Sequence, residues 1–286
     1  MSFDGLIADI ERNGWPVHGA ALYQGGRLCA RWGDTQGRYP LYSITKSILS
    51  LGVGAAWDRG RIDLARSVLD YLPASVTGGL SAAQQAAFAP LTLHRLMTMS
   101  VPGFPFRPEG ESYLRFSLAC PLPDPAAPAF HYSNIPACLV GIALTEALGE
   151  DAWAWMSRRI LAPLHIEGAA CGRCPEGYFY GASGMQLSVE ELSRVGLLLG
   201  QGGVWEERQL VSADYIRRAG SALQPNREGG YGYFFWARPD GFYMSGKWGQ
   251  RCYILPGRDI VFTVLSHMEA NSDPLTESVE RNLLDE

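Results

Sequence analysis

The chain has 286 residues, of which 47% are apolar and 19% are charged, and its formal net charge is −5. This balance is typical of a folded globular chain that is long enough to build a sizeable core. The negative charge argues against nucleic acid and anionic membranes as general partners, because both carry negative charge themselves.

The N-terminal stretch MSFDGLIADIERNGW carries acidic residues early and has no continuous apolar core. It lacks the pattern of a secretory signal, so we expect a cytoplasmic protein. No stretch reaches the roughly 18 apolar residues that a membrane-spanning helix needs. We therefore expect no association with a membrane.

Six cysteines raise the question of a metal or redox site. Without an export signal, free thiols are the default in a chain of this length. Cys171-Gly-Arg-Cys174 has the spacing of half a zinc knuckle or of a redox pair, but no second pair completes a zinc site. We expect two ordinary thiols in a loop, no metal and no cofactor. The cysteines are Cys29, Cys120, Cys138, Cys171, Cys174 and Cys252.

The N-terminal part of the chain predicts a helix, a hairpin and a second helix. Apolar residues between Phe3 and Ile10 fall on one helical face, which indicates a surface helix. Two strands follow, with a Gln-Gly-Gly turn between them. Residues 43–59 have a strong helical pattern, and Gly60 ends it. The strands are predicted at 17–23 and 27–32.

The middle of the chain is mainly helical but contains one irregular segment. A connector at 61–73 precedes a short helix at 91–99. Residues 101–130 contain seven prolines with interspersed aromatic residues, a composition that favours an ordered, irregular wall beside a cleft. Further helices are predicted at 134–148, 152–161 and 188–199, with Gly149 and Gly200 as stops.

The last third predicts strands at 231–237, 241–245, 252–255 and 260–265, then a helix at about 273–284. Strands from both ends of the chain would pair in one antiparallel sheet, with helices on its faces and a helical insertion between them. We therefore predict an α/β protein of the α+β type and a single domain, 1–286. Its α/β lobe comprises 1–60 and 200–286, and its mainly helical lobe comprises 61–199.

Ser43 and Lys46 are the first candidates for catalysis. Positions i and i+3 of a helix share a face, so the two side chains can meet. A serine at the first turn lies at the positive end of the helix dipole, and a lysine with a lowered pKa can act as its base. The plain alternative is a helix cap followed by an exposed lysine, and S-x-x-K alone does not decide between them.

Tyr132 and Asn134 are the second candidates, and they lie just before a predicted helix. A phenol near an ammonium group can share its proton and relay it to a leaving group. The amide of Asn134 can hold a substrate carbonyl or the lysine. The alternative places Tyr132 in the core and makes Asn134 an N-cap.

The third candidate is the stretch Met244-Ser-Gly-Lys-Trp-Gly-Gln250 in the strand-rich end. Glycines in a strand mark a bulge or a close backbone approach, and such an edge can hold a substrate through main-chain hydrogen bonds. The alternative is a simple hairpin with Lys247 at its tip.

The order of these three motifs resembles the serine β-lactamase and penicillin-binding-protein superfamily. Ser43-Ile-Thr-Lys46 matches its S-x-x-K motif, and Tyr132-Ser-Asn134 matches the Tyr-x-Asn motif of class C. The stretches 93–100, 180–196 and 249–256 are also similar to the family, and the resemblance runs from about 17 to 266. The most similar branch is that of the class C-like serine hydrolases, which includes esterases, D-amino-acid peptidases and amide-dimer hydrolases.

The resemblance implies the β-lactamase/transpeptidase fold and a serine hydrolase that forms an acyl-enzyme. Ser43 would be the nucleophile, Lys46 its general base and Tyr132 a proton shuttle. The substrate would be a small ester or amide, with no metal or cofactor. The implied substrate contacts are Asn134, Ser245, Gly246, Lys247 and Trp248, and one backbone N–H near this last segment would join that of Ser43 in the oxyanion hole.

The third motif departs from the family pattern, which is Lys-Thr-Gly or His-x-Gly. Lys247-Trp-Gly249 keeps a lysine, whereas Met244-Ser-Gly246 fits the strand phase better and keeps only a hydroxyl. The second register would put β-lactam hydrolysis and D-Ala-type peptidase activity in doubt and favour esters or simple amides.

Three alternative hypotheses, each a different kind of protein, stay open at this point. An α/β-hydrolase would need G-x-S-x-G on a strand-to-helix turn, and Gly181-Ala-Ser-Gly184 matches this only in part. A non-catalytic ligand-binding module on the same fold would keep the pocket without turnover. A redox or metal protein would use Cys171 and Cys174.

Overall fold

Strands from the two ends of the chain lie side by side in one central sheet. The computed structural model describes residues 2–284. The central sheet has the order β2-β1-β10-β9-β8-β7, and its neighbouring strands are antiparallel. Two short ladders, β3-β4 and β5-β6, lie outside it. The strands are β1 (Val17–Gln24), β2 (Arg27–Gly33), β3 (Tyr39–Pro40), β4 (Gln186–Leu187), β5 (Val204–Trp205), β6 (Arg208–Gln209), β7 (Trp236–Arg238), β8 (Gly241–Gly246), β9 (Gln250–Leu255) and β10 (Ile260–Ser266).

Helices fill the long connection between β2 and β7 and also precede and follow the sheet in the sequence. Helices α8 and α11 each continue into a π-helical turn, at Ser157–Leu161 and Glu280–Leu284. The α-helices are α1 (Phe3–Asn13), α2 (Ile44–Trp57), α3 (Ala74–Thr77), α4 (Ala82–Phe88), α5 (Leu93–Met97), α6 (Tyr113–Leu118), α7 (Ile135–Leu148), α8 (Ala152–Met156), α9 (Val189–Gly200), α10 (Ala213–Ala219) and α11 (Asp273–Val279).

The central sheet has an apolar core on each face. Strand β10 has the sequence IVFTVLS, rich in β-branched residues, and every one of its residues is buried. Val261 and Leu265 join the larger core, which the helical middle of the chain completes. Phe262 and Val264 point to the other face, where they pack with residues of α1 and α11. Helices therefore cover both faces of the sheet, as the sequence predicts.

Two apolar helices, α2 and α7, pack against each other inside the larger core. Every residue of α2 except Trp57 is buried, and Lys46 is one of them. A cation in such a helix is costly unless polar groups surround it or it gives up its proton. The groups around Lys46 therefore decide whether it keeps its charge.

The predicted fold class is confirmed, and most predicted elements appear within two residues of their expected ends. Gly149 ends α7 in a left-handed conformation with φ 70°, as the helix-stop pattern predicts. The antiparallel pairing of the central sheet is incompatible with an α/β-hydrolase, which needs parallel strands. Among residues 2–284, no helix has the length and apolar character needed to cross a membrane.

The predicted strand at 231–237 is wrong for most of its length. Only its end belongs to β7, and Phe234 has φ 63°, which breaks an extended strand. The backbone N–H of Gly232 donates to the carbonyl of Phe235, so the segment turns back on itself. Its aromatic side chains are buried in the larger core and not displayed on alternate faces of a sheet. Aromatic content suggested a strand, but tertiary packing decided otherwise.

Two further differences concern helices. The helix predicted at 91–99 spans only Leu93–Met97, because Met99 has φ 55°. Helix α9 lies inside the range assigned to the helical lobe, yet it packs against β9 and β10. A side chain at Gly196 would meet Val261 and Cys252, which shows how closely α9 approaches the sheet. The division into one domain with two lobes stays a prediction.

Candidate active site

Ser43 lies immediately before α2, and its side chain points to Lys46. It makes no capping hydrogen bond, and Lys46 Nζ lies 3.0 Å from its Oγ. The preceding residue, Tyr42, has φ 48°, an uncommon conformation for a residue other than glycine. The structure therefore places Ser43 at a strained turn in contact with the lysine, and the simple helix-cap alternative does not describe it.

Three oxygen atoms surround the amine of Lys46. Besides Ser43 Oγ, Nζ donates to Asn134 Oδ1 at 2.7 Å and to the carbonyl of Ala182 at 2.9 Å. None of these groups is charged. Burial lowers the pKa of Lys46 to about 7, because nothing in the site compensates a full positive charge. The lysine is therefore neutral in a substantial part of the molecules near neutral pH.

Asn134 connects this amine to α7. It occupies the N-cap position of that helix, but its side chain makes no capping bond and binds Lys46 instead. Ala182 belongs to the loop that leads into β4, and sequence reasoning did not single it out. A backbone carbonyl leaves no mark in the residue types, so only long-range packing could reveal it.

Tyr132 also lies close to the amine of Lys46. Lys46 Nζ lies 5.1 Å from the centre of its ring. Burial raises the pKa of Tyr132 to about 12, and the smaller effects of a hydrogen bond with Ser43 and of the Arg251 charge lower it. Trp236 stacks on Tyr132 at 5.9 Å between ring centres. The phenol is thus held firmly and keeps its proton at neutral pH.

The third motif lies at the end of β8. Met244, Ser245 and Gly246 belong to the strand, and Met244 is buried. A side chain at Gly246 would clash with the carbonyl oxygen of Leu41, so this strand end approaches the backbone just before Ser43. Met244-Ser-Gly246 thus ends the strand and Lys247-Trp-Gly249 lies beyond it, and which of the two corresponds to the third family motif stays a prediction.

Lys247 and Trp248 follow the strand in a short helical turn. The Lys247 side chain is exposed, and its ammonium lies 4.4 Å from the centre of the Trp248 ring. Trp248 has φ 66° and packs edge-on against Tyr42 at 5.0 Å. The indole therefore lies beside the turn that carries Ser43, whereas the ammonium of Lys247 lies at the surface.

Arg251 is a residue that sequence reasoning missed. It pairs with Ser245 across β8 and β9, and its Nη1 donates to the carbonyls of Gly246 at 3.2 Å and Gln250 at 3.0 Å. Its charge lowers the pKa of Tyr132. The signal available in the sequence was its place directly after the third motif, on the next strand of a hairpin.

The cysteine motif does not form the pair that its spacing suggests. Cys174 Sγ lies 3.5 Å from Cys138 Sγ, which belongs to α7. Across residues 2–284, no group of three or more His, Cys, Asp or Glu side chains is arranged to hold a metal ion. A redox role therefore has to be considered for Cys138 and Cys174, whose sulfur atoms are in contact.

Comparisons with known proteins agree with this fold. The 6-aminohexanoate-dimer hydrolase of Paenarthrobacter ureafaciens is 24% identical over 269 residues, 80% of this chain and 66% of that protein. The match thus spans just under two thirds of that relative's length.

Solved structures share the fold at lower identity. A class C beta lactamase from Rhodobacter sphaeroides superimposes with a TM-score of 0.77 at 17% identity, over 98% of this chain and 99% of that chain. A penicillin binding protein from Bacillus halodurans gives a TM-score of 0.77 at 13% identity, over 96% and 99%. A family model described as Beta-lactamase matches residues 5–283. Because that match spans nearly the whole sequence, the chain belongs to the β-lactamase family.

Proposed function

We propose that the protein is a serine hydrolase that cleaves a small ester or amide through an acyl-enzyme on Ser43. The observation that carries the proposal is the contact between Ser43 Oγ and the buried amine of Lys46, 3.0 Å apart. A nucleophile needs a base within hydrogen-bonding distance and a means to keep that base unprotonated. Burial in an apolar helix supplies the second condition.

Lys46 is proposed as the base. Its neutral amine would take the proton of Ser43 Oγ as that oxygen attacks the substrate carbonyl. Asn134 and Ala182 accept hydrogen bonds from the amine, which holds it in position and stabilises the ammonium that forms. A pKa near 7 suits this role, because the efficiency of a general base is greatest when its pKa is close to the working pH.

Tyr132 is proposed as the proton donor to the leaving group. With its pKa raised to about 12, the phenol is protonated at neutral pH and can donate, whereas a phenolate base would need a much larger perturbation. The proton that Lys46 removes would then restore Tyr132. Water would release the acyl group from Ser43 in a second step with the same base.

The oxyanion that forms on the carbonyl would be bound by two backbone N–H groups. One is that of Ser43, at the start of α2, and the other lies in the segment from Ser245 to Trp248. The close approach of Gly246 to the backbone at Leu41 supports this pairing. Losing one such donor typically costs about 10²–10³ in rate.

The third motif favours esters and simple amides over β-lactams. In the register with Met244-Ser-Gly246 as the third motif, the buried Met244 stands where the family pattern has a lysine, and the exposed Lys247 contacts Trp248. The partly buried Arg251 is then the cation beside this motif, and its guanidinium donates to the carbonyls of Gly246 and Gln250, with which a carboxylate next to the scissile bond would have to compete. The relative from Paenarthrobacter ureafaciens is named 6-aminohexanoate-dimer hydrolase, and two amino acids join through an amide bond, so this name supports amides as one substrate class. A β-lactamase or a D-Ala-type peptidase is the alternative.

A non-catalytic binding module on the same fold is the other alternative. The contacts among Ser43, Lys46 and Asn134 favour the enzyme, because a binding pocket has no need of a buried amine in contact with a hydroxyl.

A cytoplasmic location stays a prediction, which fractionation of the source cells would test.

The test is covalent labelling of Ser43 followed by intact-mass spectrometry. Wild type, Ser43→Ala and Ser75→Ala are each treated with a fluorophosphonate and, separately, with a penicillin. Ser75 is an exposed serine on α3 and serves as the matched control. We expect one phosphonate adduct on wild type and on Ser75→Ala and none on Ser43→Ala.

The two reagents separate the substrate classes. Labelling by the phosphonate alone supports an esterase or amidase, whereas a stable penicillin adduct as well supports the β-lactam alternative. Folded wild-type protein that reacts with neither reagent would overturn the hydrolase proposal and leave the binding module.

A further inference from the structure

Two buried thiols from distant parts of the sequence are in direct contact. Cys138 lies in the first turns of α7, and Cys174 lies in the loop between α8 and β4, 36 positions later. Their sulfur atoms are 3.5 Å apart. The exposed fraction is 0% for Cys138 and 3% for Cys174, so the pair is enclosed within the protein. Neither thiol takes part in the proposed hydrolysis.

The two segments that carry these thiols are already packed closely against each other. A side chain at Gly141 of α7 would have its Cβ 2.7 Å from the carbonyl oxygen of Phe179. A side chain at Gly181 would come within 2.9 Å of the Ala137 carbonyl oxygen. Glycine at both positions lets the backbones approach, and this approach brings the sulfur atoms together.

The loop around Cys174 is itself well ordered by hydrogen bonds. The backbone N–H of Cys174 donates to the carbonyl of Tyr178 at 2.8 Å, and its carbonyl accepts from Gly177 at 2.9 Å. Arg173 and Phe179 form a β-bridge beside them. A disulfide needs an S–S distance of about 2.05 Å, so the sulfur atoms must approach each other by roughly 1.5 Å before they bond.

The same two segments hold the amine of Lys46. Asn134, which accepts one of its hydrogen bonds, lies one helical turn before Cys138. Ala182, whose carbonyl accepts another, lies eight residues after Cys174 in the same loop. A bond between the two sulfur atoms would therefore tie together two elements that meet at the active site.

We propose that Cys138 and Cys174 form a disulfide when the protein meets a low-molecular-weight disulfide such as oxidised glutathione. One thiolate attacks the reagent and releases the first reduced glutathione, which leaves a mixed disulfide on the protein. The other protein thiolate then attacks the protein sulfur of this mixed disulfide and releases the second molecule of reduced glutathione. Two protein thiols are oxidised and one reagent disulfide is reduced, and the two protons are carried away on the glutathione thiols.

The motif Cys171-Gly-Arg-Cys174 offers a competing pair, which the structure disfavours. Cys171 is half-buried, and its thiol interacts with Arg173, whereas Cys174 Sγ is directed to Cys138. The contact with Cys174 and burial both raise the pKa of Cys138, so oxidation is slow and needs a brief opening of the loop.

The experiment maps disulfides in the full chain. Reduced wild-type protein is incubated with oxidised glutathione under native conditions, the remaining thiols are alkylated, and the non-reduced digest is analysed by mass spectrometry. Before alkylation we expect the intact mass to fall by about 2 Da, and after digestion we expect a peptide pair joined through Cys138 and Cys174. Cys171→Ser should keep this cross-link, whereas Cys138→Ala and Cys174→Ala should lose it.

Thermal unfolding of the wild-type protein gives a second test that needs no variant. Because the cross-link closes a long loop of the unfolded chain, the melting midpoint of oxidised wild type should rise by roughly 5 °C and return on reduction. A Cys171–Cys174 link, a glutathione adduct on Cys171 alone, or a Cys138–Cys174 link that forms only in denaturant would each overturn the proposal. These readouts involve no hydrolysis, so they are independent of the proposed function.

Discussion

At the scale of single residues, Lys46 is the centre of the site. It is one of only two lysines in the chain, and the other, Lys247, is exposed. Arginine supplies the other residues of the Lys and Arg set, and its guanidinium keeps its proton under all ordinary conditions. Of these two cation types only lysine can lose its proton near neutral pH, and burial lowers the pKa of Lys46 far enough.

Replacement of Lys46 by methionine should abolish most of the reactivity of Ser43. Methionine has a similar length and suits the apolar surroundings, but it cannot accept a proton. We expect the rate of fluorophosphonate labelling to fall by about 10²–10⁴-fold, the usual contribution of a positioned base. The matched control is Arg159→Met, which removes an exposed cation from the π-helical turn after α8 and should leave the labelling rate within a factor of about two. Equal losses in both variants would contradict the assignment.

The labelling rate should also depend on pH in a defined direction. Lys46 acts only when neutral, so the rate should rise with pH and level off above its pKa of about 7. Between pH 6 and pH 8 the neutral fraction of such a group increases about tenfold. Labelling rates measured over this range at constant ionic strength check the profile. A rate that falls with pH would show that a protonated group, and not the neutral amine, activates Ser43.

At the scale of elements, the site depends on the close packing of α7 against the loop that carries Ala182. Gly141 makes this approach possible, because a Cβ there would lie 2.7 Å from the Phe179 carbonyl oxygen. In an exposed helix, glycine-to-alanine replacement usually stabilises by up to about 1 kcal/mol. At Gly141 the added methyl group would clash with a backbone atom, so we expect the replacement to destabilise the protein instead.

Gly141→Ala should therefore lower the free energy of unfolding by about 1–3 kcal/mol, the usual cost of an inserted group in a packed core. Urea denaturation, monitored by circular dichroism, measures this free energy of unfolding. Gly257→Ala is the control, because a Cβ at that position meets no atom within 4 Å. An unchanged or increased stability of Gly141→Ala would show that the loop can move aside and that the packing is not tight.

At the scale of the whole molecule, the same buried lysine affects stability. In the unfolded chain Lys46 has its ordinary pKa of 10.5, whereas in the folded protein burial lowers it to about 7. Between these values the unfolded chain binds one more proton, so the contribution of Lys46 to stability increases as pH rises from 7 to 10.5. Below pH 7 the folded protein bears the full cost of a buried ammonium.

The stability difference between Lys46→Met and wild type isolates this effect from all other titrating groups. We expect the variant to gain a few kcal/mol more, relative to wild type, at pH 7 than near pH 10. Parallel urea titrations at several pH values, on variant and wild type, give the difference. A difference that does not change between pH 7 and pH 10 would mean that Lys46 has an ordinary pKa in the folded protein.

Features that depend on neighbouring residues follow from the sequence alone. Ser43 and Lys46 are one helical turn apart, so their proximity follows from the helix alone. Gly149 ends α7 because glycine readily adopts positive φ. The alternation of residues along β8 is likewise sufficient to favour Met244, Ser245 and Gly246 as the strand register. These local rules, together with the order of the motifs, were sufficient to predict the fold class and the family.

Contacts between groups far apart in the sequence depend on the tertiary fold. Asn134 was a candidate for holding Lys46, but the carbonyl of Ala182 and the side chain of Arg251 could not be found from residue types. The partner of Cys174 is Cys138 and not Cys171, and the segment 231–235 folds into a turn although its composition suggests a strand. The pKa of Lys46 is likewise a property of burial, and burial depends on how segments far apart in the sequence pack together.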